Sequence, residues 1–180
     1  MRRYIAAASA AVLLLSLFGC GAAEPGARTE PESTAAGETT DGENKLTDFY
    51  LDIIDDIYND DEGLNYDIDT MGLDLSEAYN LSDDEKQAVA DAADKAYDLN
   101  VVCGTYDDLA DQGYIDRENL YFTSGVLISV EVDEDSVKDD AFTFDAEKWR
   151  GGDGAIFYDD CAASLGADGW GYTVGSFAIS

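Results

Sequence analysis

The sequence predicts an α+β fold: two or three N-terminal helices packed on a C-terminal antiparallel sheet of about four strands. Three observations lead there. Apolar residues recur at helical spacing in the first half of the folded region, and the period changes to strand-like runs after Asn119. Helices first and strands later suit helices laid on one face of an antiparallel sheet. The chain is 46% hydrophobic and 11% aromatic, which is enough to build a core despite its charge.

The first helix is read from Leu46, Phe49, Tyr50, Ile53, Ile54, Ile57 and Tyr58, with acids between them, and ends at Asn59-Asp60-Asp61-Glu62-Gly63. The stretch from Tyr66 to Leu81 reads equally as a loop or an edge strand. Ser82-Asp83-Asp84-Glu85 opens a second helix as a capping box, with acids at the positive helix end. Its apolar stripe runs through Ala88, Val89, Ala92, Ala96 and Leu99. A short third helix spans Tyr106 to Gln112, with Thr105 as cap and Gly113 as terminator. Val126 to Val132 reads as a strand and Ala141 to Phe144 as a shorter one. Ala155–Leu165 and Trp170–Ile179 form a hairpin across Gly166-Ala167-Asp168-Gly169.

Ahead of this region, Arg2 and Arg3 precede an apolar run from Ile5 to Phe18, interrupted only by Ser9 and Ser16. The run is shorter than the roughly 20 apolar residues that span a bilayer, and it fits the core of a secretory signal. Leu17-Phe18-Gly19-Cys20 resembles the lipobox of bacterial lipoproteins, with Leu at −3 and a small residue at −1, although Phe18 departs from the usual residue at −2. The resemblance covers residues 1–20. It implies cleavage before Cys20, lipidation of its thiol, and a protein exported and anchored to the outer face of the cell membrane or to another envelope membrane. Two acyl chains hold a protein stably, at about 0.8 kcal/mol for each buried CH₂.

Residues 21–45 contain no Val, Ile, Leu, Met, Phe, Tyr or Trp and hold both prolines, Pro25 and Pro31. They read as a disordered acidic tether. The expected organisation is a signal peptide at 1–19, the lipidated cysteine and tether at 20–45, and a single acidic α+β domain at 46–180.

Forty acidic against ten basic side chains give a formal charge of −30, which repels nucleic acid. An envelope protein, a glycan or a cation is the compatible partner class. The chain has no histidine. That removes Ser-His and Cys-His nucleophile activation and histidine metal ligands, and no recognisable catalytic motif replaces them.

Cys103 and Cys161 remain after Cys20 and suggest one disulfide in an exported domain, closing a loop of about 58 residues. Asp67-Ile68-Asp69-Thr70-Met71-Gly72 starts like a calcium hand but has Met71 at the fifth place and Ala78 where the bidentate glutamate belongs. Asp74 could complete such a site with Asp67 and Asp69 only in an irregular loop; otherwise no cofactor is expected. Ser136-Val137-Lys138 is a loose serine–lysine pair in which the lysine reads as a counter-charge. Glu118 to Thr123 superficially resembles an engineered protease site, but Thr123 stands where glutamine is required.

Trp149, Tyr158, Trp170 and Tyr172 lie beside Asp145, Glu147, Asp159 and Asp160, a combination suited to stacking on a sugar or peptide. The leading expectation is a non-enzymatic ligand- or partner-binding domain at the cell envelope. The alternatives are a glycan-binding or carbohydrate-processing module and a calcium-stabilised structural protein.

Overall fold

The structure, a computed structural model, describes residues 40–180, with side chains from Leu46 onward. The expected signal peptide, Cys20 and the expected tether up to residue 39 lie outside the described residues. Helix α1 (Thr40–Asn59) starts six residues before the expected boundary at Leu46. Phe49, Tyr50, Ile53, Ile54 and Ile57 are buried along one stripe of it.

Strand β1 (Thr70–Asp74) follows a turn at Asp61–Asn65 and occupies the stretch that the sequence left ambiguous. Helix α2 (Asp83–Ala96) opens with the expected capping box: the Glu85 N–H donates to Ser82 Oγ, and the Ser82 N–H donates to Glu85. Strand β2 (Asn100–Cys103) then pairs parallel with β1. Helix α3 (Tyr106–Asp111) is capped reciprocally by Thr105 and Asp108. Gly113, its expected terminator, holds a φ of 87°.

Two short strands, β3 (Ile115–Asp116) and β4 (Tyr121–Phe122), lead into β5 (Gly125–Val132), which pairs parallel with β1 on its other side. Beyond β5 the sheet is antiparallel, through β6 (Ala141–Gly151), β7 (Gly154–Gly166), β8 (Gly169–Thr173) and β9 (Ser176–Ile179).

The α+β class holds, but the sheet is larger and mixed: nine strands among the described residues in place of about four antiparallel ones. The physical reasons are local. Thr70-Met71-Gly72-Leu73-Asp74 is hydrogen-bonded on both sides and its first four residues are buried, so it shows no alternation. Asn100-Val101-Val102-Cys103 is only four residues long and follows α2 closely, too short a run to declare itself as a strand. In β6 the charges at Asp145, Glu147, Lys148 and Arg150 break the apolar run, yet strict alternation persists, with Phe142, Phe144, Ala146 and Lys148 pointing inward.

The terminal hairpin is real only as far as Thr173, with Gly166 pairing Gly169 across the turn. β9 turns back to pair with the first half of β7, Ile156 opposite Ile179 and Asp159 opposite Ser176. Its four residues are exposed. Gly175 permits the switch, because a Cβ there would lie 2.5 Å from the Asp160 carbonyl. Asp160 itself adopts a left-handed φ of 53° in a bulge, where Asp159 and Asp160 together face Asp145, and the Asp160 N–H donates to Asp145 Oδ1 at 2.7 Å.

The helices do not share one face. Side chains alternate across a strand, so Met71 and Leu73 point one way and Gly72 and Asp74 the other. Met71 and Leu73 join α1, α2, β5, β6 and β7 in the main core. On the opposite face α3 buries Leu109 with Ile115, Phe122 and Leu127 in a second, smaller core. Gly72 makes this approach feasible: a Cβ at that position would stand 2.7 Å from Leu109 Cδ1.

Candidate functional site

β1 lies between two parallel partners, and the connections that reach them run over opposite faces of the sheet. The path from β1 to β2 runs through α2 on the main-core face, whereas the path from β2 to β5 runs through α3 on the other. In open α/β arrangements the crevice at the carboxyl ends of strands flanking such a reversal is where ligands bind. Here that crevice is occupied by Asp74 at the end of β1 and Cys103 at the end of β2. Three adjoining hollows of about 280, 410 and 330 Å³ meet at Asp74.

The largest hollow combines aromatic and acidic walls. Gly72, Leu127 and Trp149 lie in one row across β1, β5 and β6, and Asp74, Ser129 and Glu147 in the next. Ser129 is the small floor residue between the two carboxylates, whose backbones stand two strand spacings, roughly 10 Å, apart. Tyr106, at the first position of α3, packs against Trp149 edge-to-face, with ring centroids 5.3 Å apart. All of these but Gly72 line the cleft.

Its rim is held in place by polar contacts. Arg117 ties the β3–β4 loop to α3, donating to Asp111 at 2.6 Å and to Asp107 at 3.1 Å. Asp116 accepts the Asn119 side-chain amide and the N–H groups of Asn119 and Glu118, which hold its carboxyl below the usual range. Leu120 follows in a left-handed φ of 53°, a conformation costly for a leucine and one that concentrates at binding sites. Its carbonyl accepts the Gly152 N–H at 3.0 Å, and both residues line the rim.

Electrostatically the site is unbalanced. Burial, and then the charge of Asp159, raises the Glu147 carboxyl above the ordinary range. In the adjoining hollow the carboxyl of Glu77 sits against that of Glu131 and raises it, with burial and the charges of Asp145 and Asp74 adding to the effect. No basic side chain lines the cleft among the described residues. Lys86, at the neighbouring hollow, donates to the Ser76 carbonyl. Asp74 accepts both the N–H and the hydroxyl of Ser76, at 3.0 and 2.6 Å.

The four stacking candidates do not share a cleft. Trp149 is in the site just described. Tyr158 faces the main core and its hydroxyl donates to Asp60. Trp170 and Tyr172 pack on Phe49 of α1, and the Tyr172 hydroxyl donates to Asp56 at 2.7 Å. Trp170 and Tyr172 edge a separate acidic hollow of about 310 Å³ with Asp52, Asp55 and Asp56.

Asp67 and Asp69 precede β1 and Asp74 ends it, so five residues of extended chain, roughly 16 Å, separate the expected calcium ligands. Among the described residues no group of three His, Cys, Asp or Glu side chains is disposed to hold a metal ion.

The expected disulfide is absent. Cys103 is exposed at the end of β2 and Cys161 buried in β7, both as free thiols, and burial pushes the Cys161 thiol up to about 11. β1, β5 and β6 lie between their strands, which puts them four strand spacings apart, roughly 19 Å, against the 7 Å between Cα atoms that a bridge tolerates.

Sequence reasoning missed Tyr106, Ser129, Glu77 and Glu131 as site residues. Tyr106 carried one usable signal, an aromatic residue directly after a helix cap.

No family model, curated protein or solved structure matches this chain. Among the described residues no helix is long and apolar enough to cross a membrane.

Proposed function

We propose that this protein is an exported lipoprotein, anchored through Cys20, whose folded domain binds a ligand without catalysing its conversion. The observation that carries the binding half is the cleft of about 410 Å³ at the carboxyl end of β1, where Trp149 and Tyr106 stand beside Glu147 and Asp74. Its volume lies in the range of small-molecule sites, and an apolar wall with a few converging polar groups is their usual construction. The anchoring half is supported by the ordered elements of residues 1–20: two arginines, a short apolar run, and Leu17-Phe18-Gly19-Cys20.

Carbohydrate is a second reading of the same cleft, favoured by the aromatic Trp149 flanked by carboxylates.

Two measurements test the proposal. In detergent phase separation the wild type enters the detergent phase and Cys20→Ala stays in the aqueous phase; equal partitioning ends the anchoring claim. In a thermal-shift screen against metabolites and glycans, at least one compound raises the melting temperature of wild type and leaves Trp149→Ala unmoved. A library without such a compound, or hits that shift both proteins equally, rejects the cleft as the binding site.

A further inference from the structure

We propose that the ligand of this cleft is a small organic ammonium ion, seated on Trp149 and Tyr106 with its charge matched by Glu147 and Asp74; this rests on the reading of the cleft as the binding site. Charge complementarity is the first argument. The basic side chains nearest the site are already engaged: Lys86 with the Ser76 carbonyl, Arg117 with Asp107 and Asp111. Lys148 and Arg150 alternate on β6 with Glu147 and Trp149, but both donate to backbone carbonyls of residues 58–66. Among the described residues neither cleft carboxylate makes an ion pair.

The second argument is the aromatic corner. Trp and Tyr faces attract cations through their quadrupole, and desolvation strengthens the attraction. An ammonium carried on carbon presents apolar surface to these rings and to Leu127 while its charge meets the acids. A bare divalent ion fits less well, because it needs several oxygens converging at about 2.0–2.6 Å, and Asp74 and Glu147 are held two strands apart with Ser129 between them. An anion is repelled outright. The raised Glu147 carboxyl agrees with a group awaiting an opposite charge.

The test titrates the full chain in detergent calorimetrically with choline and with benzylamine. Each is compared with its neutral isostere, neohexyl alcohol or benzyl alcohol, at physiological salt. Each ammonium ion is expected to bind about tenfold or more tightly than its isostere, and Glu147→Gln to remove most of that preference. Trp149→Ala weakens the ammonium ions by about tenfold, Trp149→Phe by less. Melting curves establish that the variants are folded.

Ammonium binding that survives both Glu147→Gln and Trp149→Ala is diffuse attraction to an acidic surface and overturns the inference. Isosteres that bind as tightly as the ions, and lose affinity in Trp149→Ala, also overturn it but leave the cleft as a binding site. If neither these probes nor any compound of the screen binds in a Trp149-dependent way, the inference and the cleft reading fall together.

Discussion

The two faces of the sheet are finished to different standards. On the face under α1 and α2, polar groups that enter the core are matched. Lys148 is fully buried, and its ammonium donates to the carbonyls of Tyr58, Asp60 and Asp61 at the end of α1. Tyr50, Tyr97, Tyr158 and Tyr172 each donate a hydroxyl to Asn80 or an aspartate. On the face under α3 a small core seals one end, and beyond it Asp74, Glu131 and Glu147 make no ion pair among the described residues. The first face is built for cohesion, because a buried charge persists only when it is paired or hydrogen-bonded. The second leaves electrostatic work for something else to complete.

Breaking the first face has the largest expected effect. Lys148→Met strands the carbonyls that end α1 and costs about 3 kcal/mol, read as a lowered urea midpoint. The same lysine has a pH signature. Burial lowers its pKa from the ordinary 10.5 to about 8, partly opposed by Asp61 and Asp60. Between pH 8 and 10.5 the unfolded chain keeps a proton that the native state has released, so this group adds stability as pH rises through that window. Wild type minus Lys148→Met isolates it, since the tyrosines and Cys161 titrate in both. A difference that is flat or falling with pH contradicts the assignment.

Gly72→Ala tests whether the second face needs its tight seat for α3. The added Cβ pushes on Leu109 and costs about 2 kcal/mol, and loosening Tyr106 should weaken ligand binding as well. Equal calorimetric stability of variant and wild type would mean that α3 can move away freely. Tyr158→Phe removes one matched hydroxyl on the first face and leaves Asp60 short of a donor, lowering stability by about 1 kcal/mol. The smallest effect, and the most telling, has the opposite sign. The native Glu147 carboxyl sits above its unfolded pKa, so its ionisation disfavours the fold at neutral pH, an effect absent below the unfolded value. Glu147→Gln is therefore neutral or stabilising by about 0.5 kcal/mol after solvent screening, measured by chemical denaturation at pH 7. A clear loss of stability would place Glu147 among the cohesive groups instead.

These contrasts also mark what the amino-acid order disclosed. Both capped helices were legible because Ser82 with Glu85, and Thr105 with Gly113, signal locally. β5 was legible because an apolar run of strand length needs no partner to be recognised. β1 was not: flanked by two parallel neighbours and only five residues long, it has neither alternation nor length to announce it. The site inherits the same blindness. Trp149 and Glu147 could be singled out by type, and Asp74 was noticed for a calcium loop it does not form. That Asp74 meets Ser129 and Glu147 is decided by strand register between segments far apart in the chain, which residue spacing does not encode.

β9 shows one more consequence of the fold. Among the described residues its outer rim has no partner, and Phe177 and Ile179 stand there half bare. A margin of that kind invites another copy to zip alongside. The guard against it is the protein's surplus of negative charge, which keeps sister molecules apart while salt is moderate. Long-range repulsion thus stands in for a plugged edge, and concentrated electrolyte weakens it first.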